Sequence, residues 1–359
     1  MTLKRYFLLL MAALAVFACT PGATLDDDTD PQEENTDPQD PDDGQEDGPS
    51  HPDDPQEQDD HGHGQGGQQT LPQPGWYELP KMDMTQSGKY LVNADNSSLY
   101  YAMHICPDVK GPGGNNARNY TVCFSADYHC PLWIAAPLHP MYQASGRHEA
   151  YGPDPDIPDD CQWSSSSNAS GYNKGHMLGS GDRNITEKTN NQVFYYSNIA
   201  PQLNYNKEEG GGFNTGGGGW NTLEDWIDKN WVKSQTDTLY AVIGCYFKPF
   251  GDVYHSGTMV NTELLSGWGR SDVAKPTMFY YVLLRPKKAY SGKSVKDCKA
   301  SELQCAVFAR AHVRNLHGQK VTSTEMMSVS DLEALTGVTY FANVPQAPKD
   351  TFTASDWGL

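Results

Sequence analysis

The sequence predicts a folded domain of the α+β class over residues 76–359. Seven short runs are rich in Tyr, Val, Ile, Phe and Cys and are bounded by turn residues, as is typical of β-strands. One segment has the apolar spacing of an amphipathic helix, and the region contains no internal repeat. These observations favour one domain that combines a sheet with a few helices.

The predicted strands lie between turn residues at Lys89–Asn93, Leu99–Ile105, Tyr120–Ser125, Pro131–Pro137, Leu239–Phe247, Met278–Leu284 and Ala306–Val313. Two stretches, Thr238–Tyr246 and Thr277–Leu284, are apolar at nearly every position. Strands that are buried on both faces have this composition, so we expect these two at the centre of the sheet.

The clearest helix follows the glycine run 216–219 and has the sequence WNTLEDWIDKNWVKS. Trp220, Leu223, Ile227 and Trp231 recur at near-helical spacing, and acidic residues occupy the early turns, where the helix dipole favours them. A second helix is predicted over Ser328–Thr336, with Ser330 as its N-cap and Gly337 as its stop. The third and weakest prediction is a helix over Lys299–Leu303.

Residues 1–18 have the pattern of a secretory signal peptide. Basic residues at the start precede an apolar run that is too short to span a membrane comfortably, and the run ends in small residues. Cys19 follows directly, and the sequence VFAC resembles a bacterial lipoprotein box. We therefore expect cleavage before Cys19 and acylation of its thiol, with anchoring at a membrane surface. An ordinary secretion signal with a coincidental cysteine is the alternative.

Residues 19–75 are predicted to be an acidic linker. Residues 20–75 hold 17 of the 45 acidic residues and no Lys or Arg, so they cannot bury enough apolar surface to fold. Without this segment and the signal peptide, the chain retains 28 acidic and 24 basic residues. The formal net charge of −19 therefore does not exclude a nucleic-acid partner, because most of it belongs to the linker.

Export implies an oxidising compartment, in which disulfide bonds persist. The chain has eight cysteines, and lipidation of Cys19 would leave seven. Cys123–Cys130 and Cys298–Cys305 are plausible local bridges, although connectivity cannot be read from sequence.

Chemistry-bearing residues begin in the stretch GYNKGHMLGSGDR, residues 171–183. His176 is the side chain suited to take a proton near neutral pH, and Lys174 is placed to contact a phosphate oxygen. The adjacent Gly175 allows close approach of the backbone. A lone histidine in a glycine-rich turn is also compatible with a purely structural role.

A second group of residues supports a catalytic role. The segment SNIAPQ at residues 197–202 is followed by Asn214 and then by Glu224 on the predicted helix. An amide oxygen is a suitable ligand for Mg²⁺, and a nearby carboxylate can order the waters that this ion retains. A base, a metal ligand and an acid are the groups that phosphodiester hydrolysis needs.

In this order, the motifs resemble the DNA/RNA non-specific endonuclease family, whose active site is a ββα-metal motif. That family has a DRGH-type motif, a GDR-like turn, N-x-x-P-Q, an Asn and W-x-x-L-E. The matching residues are Asn173–His176, Gly181–Arg183, Asn198–Gln202, Asn214 and Trp220–Glu224, with Pro131–Trp133, Arg147 and Asp154–Pro158 also similar upstream. The resemblance covers about residues 85–345 and implies a central antiparallel sheet flanked by helices.

The resemblance implies a magnesium-dependent endonuclease that cuts single- or double-stranded DNA and RNA without sequence preference. It makes His176 the general base and Asn214 the direct ligand of Mg²⁺, with Mn²⁺ as the alternative ion. Glu224 would order the metal waters, and Arg147 and Lys174 would contact the scissile phosphate. Three further residues would brace the site and are equally compatible with a purely structural role as buried hydrogen-bonding residues: Asn198, Gln202 and Arg183. Arg183 is also a candidate phosphate contact.

The chain departs from the family in two places. The motif is NKGH, so Asn173 lacks the charge of the usual Asp, and Lys174 cannot make the bidentate phosphate contact of an Arg. Extra glycines surround Asn214, which leaves Asn204, Asn206 and Asn221 as rival metal ligands. A catalytically silent nucleic-acid-binding module, a nucleotide phosphodiesterase and a structural surface lipoprotein are the alternative functions. A lipidated chain of this kind would lie at the cell envelope, as an outer-membrane lipoprotein on either face of that membrane, and the acidic run after Cys19 is a feature that suggests surface display.

Overall fold

The structure, a computed structural model, describes residues 76–111 and 114–359. The predicted signal peptide, Cys19 and the acidic linker lie outside the described residues. Within the described ranges, no helix is both long enough and apolar enough to cross a membrane.

The described part of the chain folds into strands, three α-helices and short single-turn 3-10 helices. The strands are β1 (Met84–Ser87), β2 (Tyr90–Asn93), β3 (Leu99–Lys110), β4 (Asn116–Ser125), β5 (Cys130–Leu138), β6 (Tyr172–His176), β7 (Ile199–Leu203), β8 (Leu239–Tyr246), β9 (Phe250–Asp252), β10 (Thr258–Val260), β11 (Leu264–Gly267), β12 (Arg270–Ala274), β13 (Met278–Pro286), β14 (Leu303–Ala311) and β15 (Met326–Met327). The helices are α1 (Glu187–Gln192), α2 (Gly219–Ile227) and α3 (Val329–Thr336).

A nine-stranded antiparallel sheet forms the centre of the domain, in the order β1-β2-β3-β4-β5-β8-β13-β14-β15. Three two-stranded hairpins lie outside it: β6–β7, β9–β10 and β11–β12. This arrangement of one large antiparallel sheet with few helices confirms the predicted α+β class.

Both faces of the sheet are covered by apolar packing. Successive side chains of a strand point to opposite faces, so β13 sends Phe279 and Tyr281 into one core and Tyr280 and Val282 into the other. Helix α2 and the hairpin β6–β7 pack in the first core, and α3 packs in the second. The two predicted central strands are β8 and β13, which pair directly near the middle of the sheet and are confirmed in that role.

The helix predictions are confirmed for two of the three segments. Helix α2 continues through a π-helical turn at Asp228–Val232. Helix α3 is capped by Ser328 rather than Ser330, because the Ser328 hydroxyl accepts the backbone N–H of Asp331, and Gly337 ends the helix with a φ of 76°. The predicted helix over Lys299–Leu303 is wrong: the chain makes one 3-10 turn there and then enters β14.

The two suggested disulfide bridges are absent, since all seven cysteines of the described part are unpaired and buried. Cys123 packs in the core on one face of the sheet, whereas Cys130 packs in the core on the other. Their side chains therefore point away from each other across the sheet. The Cys305 thiol donates instead to the carbonyl of Pro348, at 3.2 Å.

Candidate active site

The site residues lie on a hairpin followed by a helix. Strands β6 and β7 pair antiparallel, with His176 at the end of β6 opposite Ile199. The chain then reaches Asn214 and enters α2. The ring of Phe213 stacks on the ring of Trp220, and the backbone N–H of Trp220 donates to the Phe213 carbonyl at 2.8 Å. These contacts fix Asn214 beside the first turn of α2, so the three elements form a compact ββα unit.

Gly175 allows the hairpin to close around Gln202. A Cβ atom at position 175 would lie 2.1 Å from Cδ of the Gln202 side chain, so a larger residue does not fit. The Gln202 amide donates to the carbonyl of His176, at 3.3 Å. Gln202 therefore braces the end of β6, which agrees with the bracing role expected for it.

Asn198 holds the segment that follows His176. Its amide oxygen accepts the N–H of Leu178 at 3.0 Å, and its amide nitrogen donates to the carbonyls of Leu178 and Val193. Asn198 is fully buried, so its role is to fix the backbone on the far side of the candidate base.

His176 lies in an aromatic pocket with one ring nitrogen free to react. Nε2 is buried and has no hydrogen-bond partner among the described residues. The ring meets Phe194 edge-on with centroids 4.8 Å apart, and it lies 5.8 Å from the Tyr151 ring. Burial lowers the pKa of His176 to about 3, with further lowering from the charges of Arg147 and Lys174. The ring is therefore neutral near pH 7, but so low a pKa makes it a weaker base than the histidine that the sequence predicts.

Two cations flank His176 and are held by the same aromatic pocket. The Arg147 guanidinium lies 4.9 Å from the Phe194 centroid and forms an ion pair with Glu149 at 2.9 Å. The Lys174 ammonium lies 4.1 Å from the Tyr151 centroid. Since the Arg147 side chain is 48% exposed, it remains accessible to an incoming phosphate. This placement supports the phosphate-contact role expected for both residues.

Asn214 is the asparagine that the order of the motifs assigns to the metal ion. Its Oδ1 accepts a hydrogen bond from Asn173 Nδ2, at 3.2 Å. Among the rivals, Asn204 Oδ1 accepts from Arg314, Asn206 Oδ1 caps a turn at Glu208, and Asn221 Oδ1 accepts the Gly217 N–H. All four amide oxygens accept a hydrogen bond, so the preference for Asn214 rests on its place in the order of the motifs.

The glycine-rich loop around Asn214 packs on His317. The Gly212 N–H donates to His317 Nδ1 at 3.3 Å, and the Gly318 N–H donates to the Gly217 carbonyl at 2.7 Å. A Cβ at Gly211, where φ is 122°, would lie 2.3 Å from the His317 Cβ. The extra glycines thus allow the loop to lie directly against the turn that follows β14.

Glu224 on α2 lies in a group of acidic side chains. Burial raises the pKa of Glu224 well above its ordinary value, and the charge of Asp182 raises it further. Burial also raises the pKa of Asp182 to about 6, with a contribution from Asp228. Gln143 donates to both Asp182 and Asp228, which holds these two carboxyls together. These raised pKa values favour the protonated carboxyls, and a nearby cation would favour their ionised form.

Asn214 suits the metal that the resemblance implies, because oxygen ligands are those that Mg²⁺ takes. Among the described residues, the carboxyls of Glu224, Asp182 and Asp228 do not form a group whose oxygens all lie within 4.8 Å of one another. The unpartnered Nε2 of His176 lies on the adjoining strand.

Arg183 braces the site from inside the domain. It is fully buried, and its guanidinium donates to Asn119 Oδ1 and to the carbonyls of Asn119, Pro137 and Asp182 at 2.7 to 2.9 Å. Its suggested contact with phosphate has no support in this arrangement, since the side chain has no exposed surface.

A buried ion pair behind the site was missed by sequence reasoning. His104 Nε2 lies 2.8 Å from Asp154 Oδ2, and Asp156 adds a third ligand atom within 4.8 Å. Burial opposes both charges, but their attraction prevails, so the pKa of His104 is raised and that of Asp154 is lowered. Asp154 also accepts from the Ser197 hydroxyl and the Asp156 N–H.

These three groups could hold a metal ion by type and spacing. However, the Asp154 carboxylate is already engaged by three donors, which favours a structural role that fixes the segment before β7. A histidine at position 104, within the apolar first part of β3 (residues 99–106), was the signal that could have revealed this pair.

A hairpin followed by a helix, with His176 on the hairpin and Asn214 before the helix, is the arrangement that the resemblance implies. Residues 104–347 match the model of the DNA/RNA non-specific endonuclease family. The match spans more than half of the chain, and the chain belongs to this family. The resemblance inferred from the motifs is thereby confirmed at the level of the family.

Known relatives include the mitochondrial nuclease EXOG. The chain is 26% identical to the Danio rerio protein over 228 residues, which is 62% of this chain and 59% of that protein. It is 25% identical to the Homo sapiens protein over 241 residues, 64% of this chain and 58% of that protein. It thus spans about three fifths of the length of these curated relatives.

Two further similarities concern a shorter region and a solved structure. Nuclease C1 of Cunninghamella echinulata var. echinulata is 33% identical over 141 residues, 39% of this chain and 50% of that protein. A crystal structure of the EndoG/EndoGI complex aligns at a TM-score of 0.49 and 22% identity, covering 64% of this chain and 86% of that one.

Proposed function

We propose that the chain is a magnesium-dependent endonuclease that hydrolyses phosphodiester bonds of DNA and RNA without sequence preference, with His176 as its general base. The observation that carries this proposal is the position of His176, whose Nε2 is unpartnered among the described residues and whose aromatic neighbours also hold two cations. Family membership and the names of the nuclease relatives add independent support.

In this mechanism, His176 Nε2 takes a proton from a water molecule that attacks phosphorus, and the bond from phosphorus to the 3′ oxygen breaks. Arg147 and Lys174 hold the phosphate and offset its negative charge. Asn214 Oδ1 would hold the ion, and Glu224 would accept hydrogen bonds from its waters. When bound, Mg²⁺ supplies charge stabilisation at the leaving oxygen.

The test is digestion of plasmid DNA and total RNA by the full chain in Mg²⁺ and in EDTA. We expect both polymers to be degraded only with the metal. His176→Ala should lower the rate by about 10²- to 10⁴-fold, as expected for loss of a general base. Asn214→Ala should raise the Mg²⁺ concentration needed for half-maximal rate, whereas the matched Asn221→Ala should not.

Two outcomes would redirect the proposal. If the folded chain leaves both polymers intact in Mg²⁺ and Mn²⁺ yet retards DNA in a gel, it is a silent binding module. If it cleaves small phosphodiesters but neither polymer, it is a nucleotide phosphodiesterase.

We also infer that the chain is exported and anchored in the cell envelope through Cys19, on the basis of the sequence VFAC after the apolar run. Labelling with radioactive palmitate in a bacterial host tests this. Incorporation that is abolished by Cys19→Ser would support it, and a soluble, unlabelled product would overturn it.

A further inference from the structure

A cavity of about 550 Å³ is lined by residues outside the candidate active site. It is bounded by the end of α2 with its π-helical turn, the end of β13 and the C-terminal turn, through Trp226, Trp231, Arg285, Lys287, Lys288 and Trp357. None of these is a candidate catalytic residue. Trp226 follows Glu224 by two positions, which is about 200° around the helix axis, so the cavity opens on another side of α2.

The cavity contains buried donors that lack acceptors. Arg285 is only 2% exposed. Its Nε donates to the Pro286 carbonyl and its Nη2 to Gln235, but its Nη1 has no hydrogen-bond partner in the described part of the chain. The same holds for the indole N–H groups of Trp231 and Trp357. Buried donors without acceptors are costly, so a ligand that brings acceptor oxygens would be stabilised here.

Three cations and two carboxylates lie around this cavity, which leaves one cation without an ion pair among the described residues. Burial lowers the pKa of Arg285, although Asp237 lies 3.5 Å away. Lys287 is paired with Asp356 at 3.1 Å, whereas Lys288 is exposed and has no ion pair within residues 76–111 and 114–359. Lys288 is therefore the exposed cation of this cavity, while Arg285, held by Asp237 and Gln235, keeps only its unpartnered Nη1 for a ligand.

The remaining walls of the cavity are aromatic. Trp231 contacts Trp226 with centroids 6.2 Å apart and Trp357 with centroids 5.0 Å apart, and the Arg285 guanidinium lies 5.4 Å from the Trp231 centroid. Trp226 and Trp231 are partly exposed, so parts of both rings remain accessible. Indole faces bind planar bases by stacking, and a neighbouring Arg or Lys binds phosphate.

We propose that this cavity is a second nucleotide-binding site, in which Arg285 and Lys288 bind the phosphate and the tryptophan rings stack against the base. Its volume falls in the range of small-molecule sites, about 300–1,000 Å³. The ligand is either a free mononucleotide or an unpaired nucleotide of a strand. Binding to a strand rests on the proposed nuclease function, whereas binding of a free mononucleotide does not.

The test is titration of the full chain in EDTA, followed by tryptophan fluorescence and calorimetry. The probes are adenosine 5′-monophosphate, adenosine, inorganic phosphate and a 5′-phosphorylated tetranucleotide. We expect the monophosphate to bind at least tenfold more tightly than adenosine or phosphate alone. Tighter binding of the tetranucleotide than of the monophosphate would identify a strand as the ligand, and equal binding a free nucleotide.

Variants separate this cavity from the catalytic site. Arg285→Lys and Lys288→Ala should each weaken monophosphate binding by at least fivefold, while the exposed Lys320→Ala should not. Lys288→Ala carries the test if Arg285→Lys does not fold. The proposal is overturned if Lys174→Ala, rather than Lys288→Ala, abolishes binding, or if no nucleotide binds. Nuclease activity has a separate readout, so each hypothesis can fail without the other.

Discussion

At the scale of single residues, Asp182 is held in a surrounding that disfavours its charge. Its pKa is raised to about 6 by burial and by Asp228, against 3.8 for an ordinary Asp. The folded state therefore binds the proton more tightly than the unfolded state. Folding stability must fall as pH rises from about 4 to about 6, because ionisation then favours unfolding.

Asp182→Asn removes this electrostatic cost. We expect the variant to exceed the wild type in free energy of unfolding by about 2 kcal/mol at pH 7, since a shift of one pKa unit is about 1.4 kcal/mol and partial exposure reduces the total. At pH 4 the two should unfold alike. Urea denaturation at both pH values measures this, with the exposed Asp127→Asn as control. Equal stabilities at pH 7 would contradict the prediction.

Asn173 competes with a metal ion for the same atom. Its amide donates to Oδ1 of Asn214, the oxygen proposed to bind Mg²⁺. A carboxylate at position 173 can only accept, so Asn173→Asp should turn the Asn214 amide nitrogen towards itself and free the oxygen. We expect the Mg²⁺ concentration for half-maximal cleavage to fall several-fold.

A Mg²⁺ titration of the cleavage rate measures this effect. Asn173→Leu, which removes the donor without adding charge, separates the freed oxygen from simple attraction of the cation. If neither variant changes the Mg²⁺ requirement, the contact between the two amides has no role in metal binding.

Candidate site residues could be named from the sequence, but their surroundings could not. His176 and Asn214 are marked by residue type and motif spacing. The pairing of Asp182 with Glu224 and of His104 with Asp154 joins positions 42 and 50 residues apart in the chain, which only the folded backbone brings together.

At the scale of elements, the packing of the β6–β7 hairpin requires a glycine at position 175. Gly175→Ala places a methyl group 2.1 Å from Gln202. We expect a loss of about 1–3 kcal/mol in stability, as for overpacking of a filled site, together with a much lower cleavage rate. Gly181→Ala is the matched control, because nothing lies within 4 Å of its added Cβ.

Thermal unfolding and the cleavage rate, compared between the two alanine variants, test this. Equal melting temperatures for both would show that Gln202 yields without cost and that the hairpin is not tightly packed.

The long apolar strands and α2 could be predicted because burial gives them a clear pattern. The hairpins β6–β7, β9–β10 and β11–β12 were not predicted. Their strands are three to five residues long, and β6, with the sequence YNKGH, lacks the alternation that marks a half-buried strand. In β6, the polar candidate site residues occupy positions where a regular strand would alternate apolar and polar side chains.

At the scale of the whole molecule, stability depends on two apolar cores rather than on covalent links. The seven cysteines between positions 106 and 305 are buried and unpaired. Burial raises the pKa of several of their thiols, for example that of Cys161 to about 12, which keeps them protonated and unreactive. The order of strands that creates these cores could not be read from the sequence, since strand pairing is a long-range property.

We therefore expect the native chain to react slowly with a thiol reagent and to melt at the same temperature with and without a reductant. A Cys19→Ser chain unfolded in guanidinium without a reductant should expose seven reactive thiols. A lower count that rises after reduction would reveal disulfide bonds and contradict the structure.

The strand order has a consequence for which parts of this sequence can accept insertions or replacements. The proposed catalytic and metal-binding residues, from Arg147 to Glu224, all lie between β5 and β8, and these two strands pair directly with each other. The chain thus departs from the sheet and rejoins it at the same ladder. Insertions or replacements in this one excursion leave every other strand connection intact, so the chemistry forms a single exchangeable module on a constant scaffold.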